Sequence, residues 1–281
     1  MLDKTAIVLD SACYLPAEVV ERFGAVVVPL TVVVDGEELR EFVDIGSGDF
    51  YARLAAGAKV ASSQPPPGRF VDAYTALTRA GAERVVSIHI GANVSGTVNS
   101  ARLAARLVDI PVHVIDTGQA SFVEGLCAWE AMEALAAGAS IEEAEAAAQR
   151  AAAAVGNVFI VRGLELLARG GRMAASVEAP AGVPVLAMLD GAVRPIGAAT
   201  TIDQALDAMV AHVGAAVEAN PGKHFRIGVS NGAADQLATL LEGRIRQLAP
   251  AAEVMQYIIG PVVGAHTGPG CTGAVFLPRP V

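Results

Sequence analysis

The sequence predicts an α/β protein built as two α/β domains, and three observations carry that prediction. Short apolar runs ending in Asp, Gly or Ser alternate with helix-length stretches as far as Val155, the pattern of βαβ units and a largely parallel sheet flanked by helices. After Asn157 the pattern changes and includes a second hairpin, which predicts a mixed sheet with helices. The composition, 53% hydrophobic but 5% aromatic over 281 residues, supplies Ala, Val, Leu and Ile for the cores of two ordinary domains. The expected domains are 1–160 and 161–281.

In order along the chain, Ala6 to Leu9 reads as a buried strand, and Pro16 opens a helix that stops at Gly24. An apolar run from Val26 to Val34 meets Asp35-Gly36, a hairpin turn, and the polar strand Glu37 to Arg40. Ser47 or Asp49 is expected to cap a short helix through Ala56. Ala61 to Gly68, with three consecutive prolines, is stiff and extended and leads into a helix from about Arg69 to Ala80, displaying Ser62 and Ser63 on a loop. Arg84 to Ile90 is a buried strand, followed by a turn through Ser95, Gly96 and Thr97 that opens a helix. A helix start preceded by Ser and Gly offers free N–H groups to an anion.

Val112 to Ile115 is the next strand, followed by an alanine-rich helix from about Ser121 and another opened by the capping box Ser140-x-x-Glu143. Beyond the strand Asn157 to Val161, a short helix from Leu164 to Ala168 delivers Arg169 and Arg172 around two glycines. Val185 to Leu189, Asp190-Gly191 and Ala192 to Ile196 form the hairpin, and Thr201-x-x-Gln204 caps a helix to about Glu218. Strand Phe225 to Val229 and helix Ala233 to Leu248 follow. Gly260 to Gly273 holds five Gly and two Pro in fourteen residues, so it is expected to be neither helix nor ordinary strand, but a loop presenting His266 and Thr267 between two buried strands.

Several function classes lack support. A net charge of −9 without a Lys or Arg run argues against nucleic acid. The apolar run near the start, Ala6 to Leu9, is too short for a signal-peptide core, and three widely spaced cysteines make neither a disulfide framework nor a zinc pattern, so a cytoplasmic protein is expected. There is no GxGxxG, P-loop or HExxH, and the five histidines lack ligand spacing, so no cofactor and no metal are expected; His89 and His113 read as core or edge residues. What remains is a set of hydroxyls and cations on loops: Ser62, Ser63, Ser95, Thr97, Arg169, Arg172, His266 and Thr267. Such groups suit a carboxylate or phosphate. Read singly, Ser62 or Ser95 is at least as well explained as a helix cap, and each arginine as a solvated charge. A serine with a histidine also admits an acyl-ester hydrolase using Ser95 and His266, although no Gly-x-Ser-x-Gly elbow is present.

The segments IVLDSACYLP, VPLTVVVDGEE, SSQPPPG, SIHIGANVSGTVNSA, VIDTGQAS, LARGGRM and GPVVGAHTGPG resemble, in order and spacing, those of the DegV family of bacterial fatty-acid-binding proteins. The resemblance spans nearly the whole chain. It implies a long-chain, palmitate-like fatty acid in an apolar tunnel, with a ligand cleft between the two domains. It implies Ser62, Ser63, Ser95, Arg169 and His266 around the carboxylate, with Gly96, Thr97 and Thr267 beside them. It further implies a non-enzyme that presents the acid to a fatty acid kinase for acyl-phosphate formation in phospholipid synthesis, with peripheral membrane contact during lipid exchange. Two departures stand out. Ser62 replaces a threonine common in the family, and the segment after Arg172 is shortened and interrupted by Pro180 and Gly182. Burying the acyl tail removes about 0.8 kcal/mol of unfavourable hydration per CH₂ before association costs, so the tail supplies affinity and the polar loops recognise the acid.

Overall fold

The structure, a computed structural model, describes residues 4–162, 164–169, 171, 182–189 and 192–280. The chain divides into two compact units: Met1–Val33, Glu38–Asp44 and Ser62–Ala153 form the first, and Val34–Glu37, Ile45–Ala61 and Ala154–Val281 the second. The division is interleaved, where a single cut after residue 160 was expected. Part of the reason lies in strand pairing, because the strand Gly156–Ile160 is hydrogen-bonded between strands from the C-terminal half.

The first half of the chain runs β1 (Thr5–Asp10), a 3-10 turn (Ser11–Cys13), α1 (Ala17–Phe23), β2 (Val26–Val28), β3 (Thr31–Val34), β4 (Glu37–Arg40), α2 (Ser47–Ala55), β5 (Val60–Ser63) and α3 (Pro67–Arg79). It continues with β6 (Arg84–His89), α4 (Thr97–Ala105), β7 (Val112–Asp116), α5 (Phe122–Ala136) and α6 (Ile141–Ala154). The apolar run 26–34 is two strands of different sheets, broken at Pro29, which has no N–H for a ladder. The hairpin turn adopts positive φ at Asp35 and Gly36, as a type I′ turn requires. Helix α3 starts two residues before the expected Arg69, with Pro67 in its first turn. Neither Ser47 nor Asp49 caps α2: the cap position is Gly46, without a side-chain bond, and the Ser47 hydroxyl is buried without a partner.

In unit 1, β2-β1-β6-β7 is a fully parallel sheet. Helices α3 and α4 cover it with Phe70, Tyr74, Ala101 and Ala104 packed on Val8 and Val85. The capping box of α6 forms as expected, the Ser140 hydroxyl accepting from Glu143 N and the Glu143 carboxylate from Ser140 N.

The remaining elements are β8 (Gly156–Ile160), α7 (Glu165–Arg169), β9 (Val183–Leu189), β10 (Ala192–Ala199), α8 (Ile202–Ala219), β11 (His224–Gly232), α9 (Asp235–Leu248), β12 (Glu253–Ile258), α10 (Pro261–Thr267) and β13 (Cys271–Arg279). In unit 2 they build the mixed sheet β10-β9-β8-β13-β11-β12, antiparallel except for β11 beside β12. Leu206 and Met209 of α8 and Leu241 and Ile245 of α9 join its core with Ile227 and Phe276. The β9–β10 hairpin pairs as expected, while its Asp190-Gly191 turn, and the segment from Arg172 through Pro180, lie outside the described residues.

The glycine-rich stretch departs from expectation. Pro261 to Thr267 is helix α10, with proline in the first turn, where its missing N–H costs nothing, and Gly268 at positive φ as the stop. Gly264 in its middle is required by packing, not by a turn. A Cβ there would lie 2.7 Å from Tyr51 Oη and 2.9 Å from Phe50 Cε1 of α2. Gly264→Ala is therefore expected to destabilise the protein by about 1–3 kcal/mol in urea unfolding. Gly243→Ala in α9, where a Cβ meets nothing within 4 Å, is expected to stabilise it by up to about 1 kcal/mol. Equal effects at the two positions would contradict this packing.

Candidate functional site

The site of unit 1 is built on three neighbouring parallel strands, β1, β6 and β7. At the end of β1, Asp10 is fully buried, and its carboxylate accepts from Ala12 N at 3.0 Å, Ile90 N at 3.0 Å and His89 Nδ1 at 3.1 Å. At the end of β7, the Asp116 carboxylate accepts from Ala92 N at 3.1 Å and Gly118 N at 3.0 Å. Gly91 N donates to Gln119 O at 2.7 Å. The turn after β6 is thus clamped from both flanking strand ends, and it carries Ser95 to the start of α4. This is the carboxyl end of a parallel sheet, where α/β folds place ligands.

His89 is a core residue, as expected, but it also carries a polar chain. With Nδ1 donating to Asp10, Nε2 accepts from the Ser87 hydroxyl at 2.6 Å, and Ser87 accepts in turn from Tyr74 at 2.8 Å. Burial pushes the Tyr74 phenol up to about 12, offset in part by Ser87. His113 is half-buried and pairs with Glu145 at 2.8 Å.

Four of the expected hydroxyls lie in this unit. Ser95 Oγ and Thr97 Oγ1 are hydrogen-bonded at 2.9 Å, and Thr97 N lies 3.4 Å from Ser95 Oγ. Thr97 is fully buried, so its hydroxyl acts by holding that of Ser95. The helix cap is Gly96 rather than Ser95. Ser62 and Ser63 end β5, with Ser63 donating to Gln64 O at 3.3 Å. The two loops touch, because the Gln64 side chain lies directly over Gly96: a Cβ at residue 96 would overlap Gln64 Oε1 and sit 2.5 Å from its Cδ.

Arg169, His266 and Thr267 belong to unit 2. Arg169 is exposed in the last turn of α7, and His266 is half-buried in the last turn of α10. The two helices pack on one another, with Leu166 of α7 against Gly268 after α10. The Thr267 hydroxyl donates to Val263 O at 3.2 Å, within its own helix. Arg172 lies outside the described residues.

Sequence reasoning missed a second buried group. Glu41 accepts from the Tyr14 hydroxyl at 3.1 Å and from that of Ser11, which itself accepts from Leu30 N at 3.0 Å. Glu124, in the largely buried helix α5, has zero exposure, and its carboxyl faces the Asp10 carboxylate and the Ile90 backbone. Burial first, then the charge of the Asp10 carboxylate and a hydrogen bond to it, and then Glu41, hold its acid well above the usual range, which favours the neutral form. The available signal was a glutamate inside the apolar run FVEGLCAW. Among the described residues no cluster of His, Cys, Asp and Glu has a metal-holding arrangement. The three thiols are buried, and burial raises each of them, Cys271 to about 12.

Compared with known proteins, residues 4–279 match the family model described as an uncharacterised protein of the DegV family. A DegV domain-containing protein of Streptomyces coelicolor is 37% identical over 279 residues, covering 98% of each chain. Among solved structures, the fatty-acid-binding DegV family protein of Thermus thermophilus matches with a TM-score of 0.88 at 30% identity, over 98% of this chain and 99% of that one. A stearic acid-binding protein of Eubacterium ventriosum matches with a TM-score of 0.87 at 26% identity, over 98% of both.

The raised acid of Glu124 has a measurable consequence. An acid whose folded pKa is raised stabilises the fold most below the unfolded glutamate value, and that contribution falls as pH rises, because only the unfolded form ionises. Wild-type unfolding free energy is expected to fall by up to about 1.4 kcal/mol per pH unit above the glutamate range. Glu124→Gln, which cannot ionise, is expected to match wild type in acid and exceed it increasingly towards alkaline pH. A gap independent of pH contradicts a neutral Glu124.

Proposed function

The chain belongs to the DegV family, and on that premise we propose that it binds a long-chain fatty acid, palmitate-like in length, and is not itself an enzyme. The observation that carries the reading is the junction in unit 1 where Gln64, directly after Ser62 and Ser63 at the end of β5, meets the Ser95-Gly96-Thr97 turn at the start of α4. Hydroxyls and first-turn N–H groups at one point suit a carboxylate, and burial of the tail supplies affinity. Solved relatives bind fatty acid, one of them stearic acid, and this supports the same ligand class here.

The acid is presented to an ATP-dependent fatty acid kinase, which forms the acyl phosphate for phospholipid synthesis in the cytoplasm, with peripheral membrane contact during lipid exchange. Arg169 and His266 act chiefly in that transfer. A guanidinium balances charge as phosphate arrives, and a histidine near neutrality can donate a hydrogen bond or change its protonation. No helix among the described residues is long and apolar enough to cross a membrane.

Organic extraction of the purified protein followed by mass spectrometry is expected to release a long-chain acid. No acid, and no uptake of added acid, would sink the reading. Ser95→Ala is expected to weaken acid binding by roughly 1.5–3 kcal/mol and binding of the methyl ester much less. An acyl-ester hydrolase would instead turn over simple esters and lose that activity in Ser95→Ala. Arg169→Ala and His266→Ala are expected to bind acid normally but to slow phosphorylation by a cognate kinase. Normal rates for both would remove them from the transfer step.

A further inference from the structure

The hydroxyls at the junction in unit 1 are already partly committed to the protein. Ser63 directs its hydroxyl to Gln64 O. Between Ser95 and Thr97, one hydroxyl donates to the other, and Thr97 is buried. A carboxylate has two oxygens and room for about four donors, so a further donor has a place beside these hydroxyls and the first-turn N–H groups of α4. Gln64 is exposed, and among the described residues its side-chain amide makes no hydrogen bond to the protein. It is nevertheless held in place at the junction. Its Oε1 takes the position that a Cβ on Gly96 would occupy, with Cδ 2.5 Å and Nε2 3.0 Å from that point, so the amide enters oxygen first and Nε2 is the outermost of the three atoms. An ordinary exposed glutamine side chain has several torsions and samples solvent. Here the absence of a side chain at residue 96 makes a seat for it.

We propose that Gln64 is a head-group residue: its carboxamide N–H₂ donates to the ligand carboxylate, beside Ser95, and selects the ionised acid over neutral lipids. This rests on the fatty-acid reading above. An amide suits the task because it adds donors without a fixed charge and without a proton that titrates near neutrality. Gly96 is then needed for the amide's position, since its φ of −73° is one any residue adopts.

Gln64→Glu is nearly isosteric, replaces the donor by acceptors and sets a negative charge against the carboxylate. Palmitic acid and its methyl ester are titrated into wild-type and Gln64→Glu protein at neutral pH, with thermal unfolding measured on both. The expected result is a loss of about ten- to a hundredfold in acid affinity, with ester affinity and unfolding temperature unchanged. Gly96→Ala, which removes the seat, is expected to lose acid affinity in the same direction. Unchanged acid affinity in Gln64→Glu overturns the proposal, as does an equal loss for acid and ester, which marks Gln64 as a spacer. Wild-type protein that takes up neither ligand overturns the fatty-acid reading and this proposal together, whereas wild-type uptake with an unaffected Gln64→Glu overturns only the proposal.

Discussion

The buried carboxylate of Asp10 is the interaction on which the site of unit 1 depends. It receives the N–H of Ala12 and so shapes the turn after β1, and it receives Ile90 N and the His89 ring and so ties down the exit of β6. A buried carboxylate is costly unless its lone pairs are filled, and here backbone and imidazole donors fill them. The consequence reaches beyond the core. Ile90 leads directly to Gly91, whose carbonyl accepts from Val94 N and Ser95 N, so the position of Ser95 is inherited from Asp10 through backbone hydrogen bonds. Beside this anchor, burial and the Asp10 charge raise the Glu124 acid and so disfavour a further negative charge in the same space.

Rigid support on one side and polar donors on the other is the arrangement that lets a protein tell an acid from its ester. The apolar tail gives affinity to any lipid of the right length, and only groups aimed at the charged end can discriminate. In unit 2 the same division appears in another form. Tyr51 and Phe50 of α2 press on Gly264, Tyr51 also donates to Ile259 O at 3.3 Å, and the helix they brace holds His266.

Most of the fold was legible because it rests on local signals. Alternating apolar runs and helices give the parallel sheet, Asp35-Gly36 gives the hairpin, and Ser140 and Thr201 cap the helices where they should. The failures share a cause, since each depends on a neighbour distant in sequence. Gly264 looks like a helix breaker until Phe50 and Tyr51 are placed against it. Ser47 has the chemistry of a cap, yet packing buries its hydroxyl. Of the candidate site, Ser63 and Ser95 were readable as polar groups near predicted turns, whereas the burial of Thr97 and the strand at Ser62 and Ser63 were not. Asp10, Glu41 and Glu124 were not, because a buried acid in an apolar run carries no local sign of the partners that neutralise it. Gln64 has meaning only beside Gly96, thirty-two positions further along the chain.

The central claim is that the protein holds the acid in its ionised form through donors at the unit 1 junction. The most direct test is carbon-13 NMR of carboxyl-labelled palmitic acid bound to the protein, titrated from neutral pH into the acid range for as long as the fold persists. Donors and a helix start around the carboxylate predict that the bound label keeps its carboxylate shift to a pH well below that at which the free acid protonates. A bound label that titrates at or above the value of the free acid would contradict the account, because its head group would then lie in apolar or unassisted surroundings.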